Sequence, residues 1–259
     1  MKSYLQELLK RRDLMIYLVI SGLKSQHKNS FLGYFWWLLD PLLGTLIYYF
    51  VVVILFKRGG GPDFGVYLVV GMIVWRSISA TLGSASRSIL SRAGIITQVY
   101  LPKANLPLGA VLTQLINFGF GLVVIGIFFV VLRIVPGLTI LWLPFIILMQ
   151  FFFMVAIALP VAYLSVFVRD IENVVTHVTR LWFFGSPVIW RVEMIPERLR
   201  WLLEINPMAY FLGSYRDALI YRSAPDVTAL FVIGMGSILL SAAMIYCYSR
   251  YEYRMIKVL

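Results

Sequence analysis

Few side chains in this sequence are equipped for chemistry, and most of those are cations. Asp40 stands inside an apolar, aromatic run, Ser30–Gly44 (SFLGYFWWLLDPLLG), directly before Pro41. An acid within an apolar span costs about 2.5–3.5 kcal/mol on insertion scales, so it faces a bundle interior or water. Pro41 frees a backbone carbonyl and bends the helix that carries it. Tyr34 and Trp37 precede Asp40, and Trp37 shares its face at helical spacing. Two readings stay open. Asp40 belongs to an aromatic, partly wet face of the kind on which sugar rings stack, or it pairs with Arg76 and locks two helices together. Glu172, His177 and Arg180 are a second constellation, read either as a proton relay or as a polar cluster at a helix end.

Other chemistry is missing from the sequence. There is no G-x-x-x-x-G-K-[ST] and no Gly-Lys pair, so phosphates cannot be cradled in a Walker loop. No H-E-x-x-H or G-x-S-x-G occurs, and His27 and His177 lie in separate segments. Cys247 is the single cysteine, which rules out an internal disulfide or a cysteine metal site. No catalytic residue, metal site or cofactor is therefore expected on this chain.

These residues must be positioned by membrane helices. The chain has 259 residues, 61% of them hydrophobic and 14% charged, where soluble domains have about 45–50% apolar and about 25% charged residues. The apolar runs are continuous rather than alternating, which favours a polytopic all-α protein over a β-barrel. Runs of about 20 uncharged residues cross a bilayer. Six are expected, at 31–56, 64–84, 106–132, 138–168, 174–190 and 227–249, in a single membrane domain. The net charge of +11 fits loops at an anionic membrane surface and calls for no nucleic acid. With the N-terminus inside, Lys and Arg gather on the inner side, whereas the short outer loops hold only Lys57, Arg58 and Arg133. Both termini are thus expected in the cytoplasm. Residues 1–23 alternate apolar and charged positions and read as an amphipathic helix lying on the membrane. The segment 191–226 is apolar in patches and punctuated by Pro196 and Pro207. It reads either as short helices re-entering the outer face or as a surface loop with two amphipathic turns.

Two further stretches carry information. In Gly94–Gly109 (GIITQVYLPKANLPLG), the apolar residues Ile95, Ile96, Val99, Tyr100 and Leu101 precede Pro102 on the inner side. They read as a short helix docked in a groove of another subunit, or as a turn buried in this chain's own core. In Val168–Trp190 (VRDIENVVTHVTRLWFFGSPVIW), Gly185, Ser186 and Pro187 interrupt a span near its outer end. Broken spans mark transport paths.

Together these stretches resemble the membrane permease subunits of bacterial ABC transporters that export polysaccharides. The likeness lies in NSFLGYFWWLLDPLL, YLPKANLPL, RDIENVV…SPVIW and EINPMAYFLGSYRDAL, in that order along the whole chain. Asp40 departs from the Asn often found there. The resemblance implies a homodimer in the bacterial inner membrane, with two copies of a separate ATPase chain that binds ATP and Mg. It implies that the segment matching Ile95, Ile96, Val99, Tyr100, Leu101 and Pro102 is a coupling helix on that ATPase. It also implies that 191–226 gates the exit, and that the substrate is a glycan on a polyprenyl pyrophosphate, such as O-antigen. On this reading Arg11, Arg12, Lys24 and Lys28 attract the pyrophosphate head. Tyr34, Trp37, Asp40, Phe183 and Phe184 line the path. Rival readings are a permease for teichoic acid, capsule or small lipophilic molecules, a membrane enzyme acting on lipid-linked sugars, and a proton-coupled carrier.

Overall fold

The computed structural model describes residues 2–26, 31–55, 63–96 and 101–258, and these are helical with no strand. Two helices come first, α1 (Lys2–Lys10) and α2 (Arg12–Gln26). The expected interface helix is thus two helices, broken at Arg11 and extending past residue 23. α3 (Trp36–Tyr49) runs on into a π-helical turn, Phe50–Leu55. After α4 (Phe64–Ser88) comes a single short turn, α5 (Ala93–Ile96). α6 (Asn105–Val131), α7 (Leu143–Phe167) and α8 (Ile171–Phe184) follow. Short 3₁₀ turns and α9 (Trp201–Glu204) lead to α10 (Pro207–Arg216), and α11 (Val227–Val258) closes the chain.

Among the described residues four stretches are long and apolar enough to cross a membrane: Phe64–Ser88, Asn105–Val131, Leu138–Phe167 and Val227–Val258. The other two expected spans differ from this pattern. The first is a 3₁₀ turn at Gly33–Phe35, α-helix over Trp36–Tyr49 and π-helix over Phe50–Leu55. The fifth, expected over 174–190, is a 14-residue helix that stops at Gly185. That is about 21 Å at 1.5 Å per residue, short of the ~30 Å hydrocarbon core. The stop has a local cause: Gly185, Ser186 and Pro187 succeed one another, and Pro187 cannot donate to a continuing helix.

α4 is the axis of the bundle. Val66, Leu68, Val69, Val70, Val74 and Ile78 on it are fully buried, and α3, α6, α7, α8 and α10 all pack on it. α11 packs chiefly along α7, and α2 along the first half of α6. Gly121 brings α6 close to α4, because a Cβ there would stand 2.6 Å from Ile73 Cγ2. A buried polar chain ties three helices at this level. Tyr215 of α10 donates to Gln150 Oε1 at 2.6 Å, and Gln150 Nε2 donates to Ser77 Oγ of α4 at 2.6 Å. All three side chains are buried, so each member depends on the others.

Gln150→Leu leaves the Tyr215 hydroxyl without its acceptor and is expected to lower stability by about 1–3 kcal/mol. Tyr215→Phe is expected to cost less, and the double variant less than the sum of the two. Thermal unfolding of the detergent-solubilised protein checks the cycle; strict additivity would mean that the three groups do not act as one chain.

Candidate functional site

The Asp40–Arg76 pair exists, and it also lines cavities. Arg76 Nη2 donates to Asp40 Oδ2 at 2.9 Å, with the two side chains 49% and 39% exposed. α3 supplies the acid one position before Pro41, and Thr45 Oγ1 donates to the Pro41 carbonyl one turn back at 2.7 Å. On one side of the pair, between α3, α4 and α8, is a cavity of about 420 Å³. It is lined by Tyr48, Trp75, Arg76, Arg180, Phe183 and Phe184 among others. On the other side, between α3, α4 and α6, a second of about 300 Å³ is lined by Trp36, Asp40, Gln114 and Asn117. The pair that joins α3 to α4 thus also borders open space, Arg76 in both cavities and Asp40 in the second.

α8 frames the first cavity. Phe183 is 6% exposed and fits between Tyr48 and Trp75, with ring centroids at 5.7 and 5.5 Å, while Phe184 is 59% exposed. Asn173, Thr176, His177 and Arg180 lie along one exposed stripe of α8, and Val174, Val178 and Leu181 beside it are also exposed. Glu172 is drawn away from His177 and Arg180: it pairs with Arg87 of α4 at 3.0 Å.

Beyond Gly185 the chain is fastened by Asn206 and Arg216, residues of the Asn-Pro…Arg stretch to which the sequence alone assigns no role. Asn206 caps α10 by accepting from Met208 N at 3.0 Å, the usual role of Asn before a proline-initiated helix. The same side chain accepts from Trp182 Nε1 at 2.8 Å and donates to Ser186 Oγ at 2.9 Å, so it splices α8 to α10. Arg216, 2% exposed, donates to the carbonyls of Pro187 at 2.7 Å, Val188 at 3.0 Å and Tyr67 at 3.3 Å. Its guanidinium lies 3.3 Å over the Tyr67 ring. Gly71 is what admits it, since a Cβ would stand 2.5 Å from Arg216 Nη2 and 2.6 Å from the Val188 carbonyl. The segment after residue 205 is no surface loop: Met208, Phe211, Leu212 and Tyr215 are buried against α4 and α7. The cap is legible as Asn-Pro; Arg216, beside Asp217, looks in sequence like an ordinary loop charge.

At the opposite end, Lys103 is fully buried and its Nζ lies 3.4 Å from Glu252 Oε1 of α11. The Lys103 backbone N donates to the same oxygen at 2.9 Å, and Ala104 N donates to the Tyr4 hydroxyl of α1 at 3.4 Å. One point thus joins α1, α11 and the start of α6. Leu101 and Pro102 are buried in this chain, so these two of the expected coupling residues pack inward. Ile95 and Ile96 form the end of α5, with only their backbone described, and Val99 and Tyr100 lie outside the described residues. Of the expected head-group cations, Arg11 is half-buried, Arg12 is exposed beside Asp13 at 3.8 Å, Lys24 is exposed, and Lys28 lies outside the described residues. Tyr34 falls in the turn before α3 and Trp37 within α3, again by backbone alone.

Residues 14–220 match the family described as ABC-2 type transporter. The chain is 29% identical over 237 residues to the O-antigen export system permease protein RfbA of Myxococcus xanthus, across 91% of each chain. It is 28% identical over 248 residues to the protein of the same name from Klebsiella pneumoniae, across 95% of each.

Two measurements probe this geometry. Ser79 lines the cavity between α3, α4 and α8, so Ser79→Cys in a Cys247→Ser background is expected to react with a membrane-impermeant thiol reagent; protection from it would make the cavity dry. Glu252→Gln removes the carboxylate that faces the buried Lys103 ammonium and is expected to destabilise the protein by about 3–5 kcal/mol in thermal unfolding.

Proposed function

The chain belongs to the ABC-2 type transporter family, and from that premise we propose that it is the permease subunit of an O-antigen exporter. The substrate on this reading is a cell-envelope polysaccharide carried on a polyprenyl pyrophosphate. What carries the reading is the likeness, across 91% and 95% of the chain, to permeases named for O-antigen export. The family implies a partner ATPase subunit, which binds ATP and Mg. Two permease copies and two ATPase chains form the working assembly in the bacterial inner membrane, with both permease termini in the cytoplasm.

Six crossings serve this assembly: the four long helices, α3 with its π-helical extension, and α8 continued by the segment that Arg216 fastens. α9 and α10 dip into the outer leaflet, an arrangement supported by the buried face of α10. The second copy is supported by α8. An arginine facing lipid costs about 2.5–3.5 kcal/mol on insertion scales, yet Arg180 lies exposed in line with His177 and Asn173. A channel shared by two copies gives that stripe water, and Val174, Val178 and Leu181 supply an apolar seam beside it. ATP-driven closure of the partner subunits pushes on the segment around α5 and shifts α3 and α8. The glycan then passes along the aromatic and polar walls of the cavity between α3, α4 and α8, while the lipid tail stays in the bilayer.

In a strain lacking this gene, surface polysaccharide is expected to disappear while lipid-linked glycan accumulates inside, and the wild-type chain with its ATPase is expected to restore export. Replacing Ile96 and Tyr100 with aspartates is expected to abolish both co-purification of the ATPase and the rescue. Rescue by the chain without any ATPase, or an unchanged glycan distribution on deletion, would overturn the reading.

A further inference from the structure

A third cavity, about 660 Å³, opens between α2, α4 and α6, and no carboxylate among the described residues lines it. Its α4 wall and the turn after it carry Arg76, Arg87 and Arg92, with Ser84, Ser88 and Ser91 between them. Arg76 and Arg87 are separated by about 16 Å of helix rise, and Arg92 follows one turn beyond α4. The acids that hold two of these arginines approach from other helices, Asp40 from α3 at 2.9 Å and Glu172 from α8 at 3.0 Å. Arg92 donates to the Ser88 carbonyl at 3.3 Å, and burial pulls its guanidinium below the ordinary arginine value. A groove with this lining attracts an anion with several oxygens, since guanidinium forks pair with phosphate in bidentate fashion.

Two neighbours narrow the ligand further. α2, which forms one wall, turns Ile16, Tyr17 and Ile20 outward, exposed. An anion site bordered by an exposed apolar helix suits a charged group that has an acyl or prenyl tail. At its far end the groove reaches Arg76, which also lines both cavities beside Asp40. The groove therefore runs into the cavities through a single side chain.

We propose that this groove is the docking site for the diphosphate ester of a lipid-anchored substrate. Arg87 and Arg92 bind it first, and it passes along α4 to Arg76. The inference rests on the export reading above and names the place where its substrate enters. Phosphate oxygens arriving at Arg87 compete with Glu172, so docking loosens α8 from α4. Arrival of the substrate is thereby linked to the helix that frames the path.

The test is native mass spectrometry of the purified permease–ATPase complex, titrated with a polyprenyl diphosphate, the matching polyprenol and inorganic pyrophosphate. The diphosphate lipid is expected to bind about tenfold or more tightly than the alcohol, which corresponds to the loss of one strong charge-assisted contact. Arg87→Gln with Arg92→Gln is expected to remove that advantage. Gly83→Leu is expected to do the same by filling the groove, since a Cβ at Gly83 meets only Arg87 Nη2, at 3.8 Å, and the helix accepts it. Glu172→Gln is expected to tighten binding by a few-fold, which a purely structural role for the Arg87–Glu172 pair would not produce. Equal affinity for lipid and alcohol would make the groove an acyl slot. Binding of inorganic pyrophosphate alone would make it a free-anion site. Unchanged affinity in the arginine pair and in Gly83→Leu, with unfolding temperature preserved, would overturn the proposal. Export assays separate the two readings. If lipid-linked glycan is not exported but the binding series holds, the functional reading falls and the groove stands. If export holds and the variants bind like wild type, only the groove falls.

Discussion

A buried guanidinium, held by backbone carbonyls instead of a carboxylate, organises one end of the bundle. Arg216 takes the carbonyls of Pro187, Val188 and Tyr67 and rests on the Tyr67 ring. A cation removed from water needs partial negative charge on several sides, and carbonyl dipoles and an aromatic face can provide it. Carbonyls are free here because the helix ends at Gly185 and Pro187 cannot extend it. The break in α8 and the burial of Arg216 thus require each other. Arg191 adds a second cation over the Tyr67 ring, at 5.5 Å, and the Tyr67 hydroxyl donates to the Trp190 carbonyl at 2.8 Å. α8 ends where it does, and the cavity beside it has the shape it has, because this knot fixes the chain that follows.

The other end of the bundle obeys a different rule. Lys103 is buried too, but it meets a carboxylate, and Glu252 binds both its side chain and its backbone N–H. A pair like this is weak evidence for stability, since well-packed apolar residues serve as well. What it does is fix geometry between segments 149 residues apart in sequence. The turn before α6 cannot move without α11, and through the Tyr4 hydroxyl it carries α1 as well.

How much of this was legible in sequence depended on the range of each interaction. The long apolar helices were visible because their signal is local and continuous, and their observed limits lie close to the expected ones except where α4 and α11 run further. The Gly185–Pro187 break was visible because Gly and Pro interrupt helices on their own account. Asp40 and Arg76 could be paired because each was the lone charge in its run. Arg216 and Lys103 were not legible, since a basic residue in a loop looks the same whether it faces solvent or a ring of carbonyls. The inward packing of Leu101 and Pro102 was one of two open readings for a related reason: an apolar loop announces that it is covered, not which chain covers it. Glu172 was grouped with His177 and Arg180 by helix proximity, but the structure gives it to Arg87, a contact across helices that periodicity does not register.

α4 resolves the tension between a packed axis and a transport path. Its first half is apolar and enclosed on every side, as an axis must be. From Arg76 onward one face changes to serine, alanine, glycine and arginine. Small side chains leave space between helices, and hydroxyls that turn back to carbonyls of the preceding turn, as Ser84 does to Ala80 and Ser88 to Ala85, keep a polar wall compatible with a helix in an apolar setting. Arg76 stands at the boundary and opens onto all three cavities. Its bond to Asp40 joins α3 to α4 beside these cavities, and a half-exposed ion pair is a weak tie, since such pairs contribute about 1 kcal/mol or less. An apolar residue in place of Asp40 would leave Arg76 facing the bundle without its carboxylate, and a single half-exposed pair supplies that carboxylate without binding the two helices tightly.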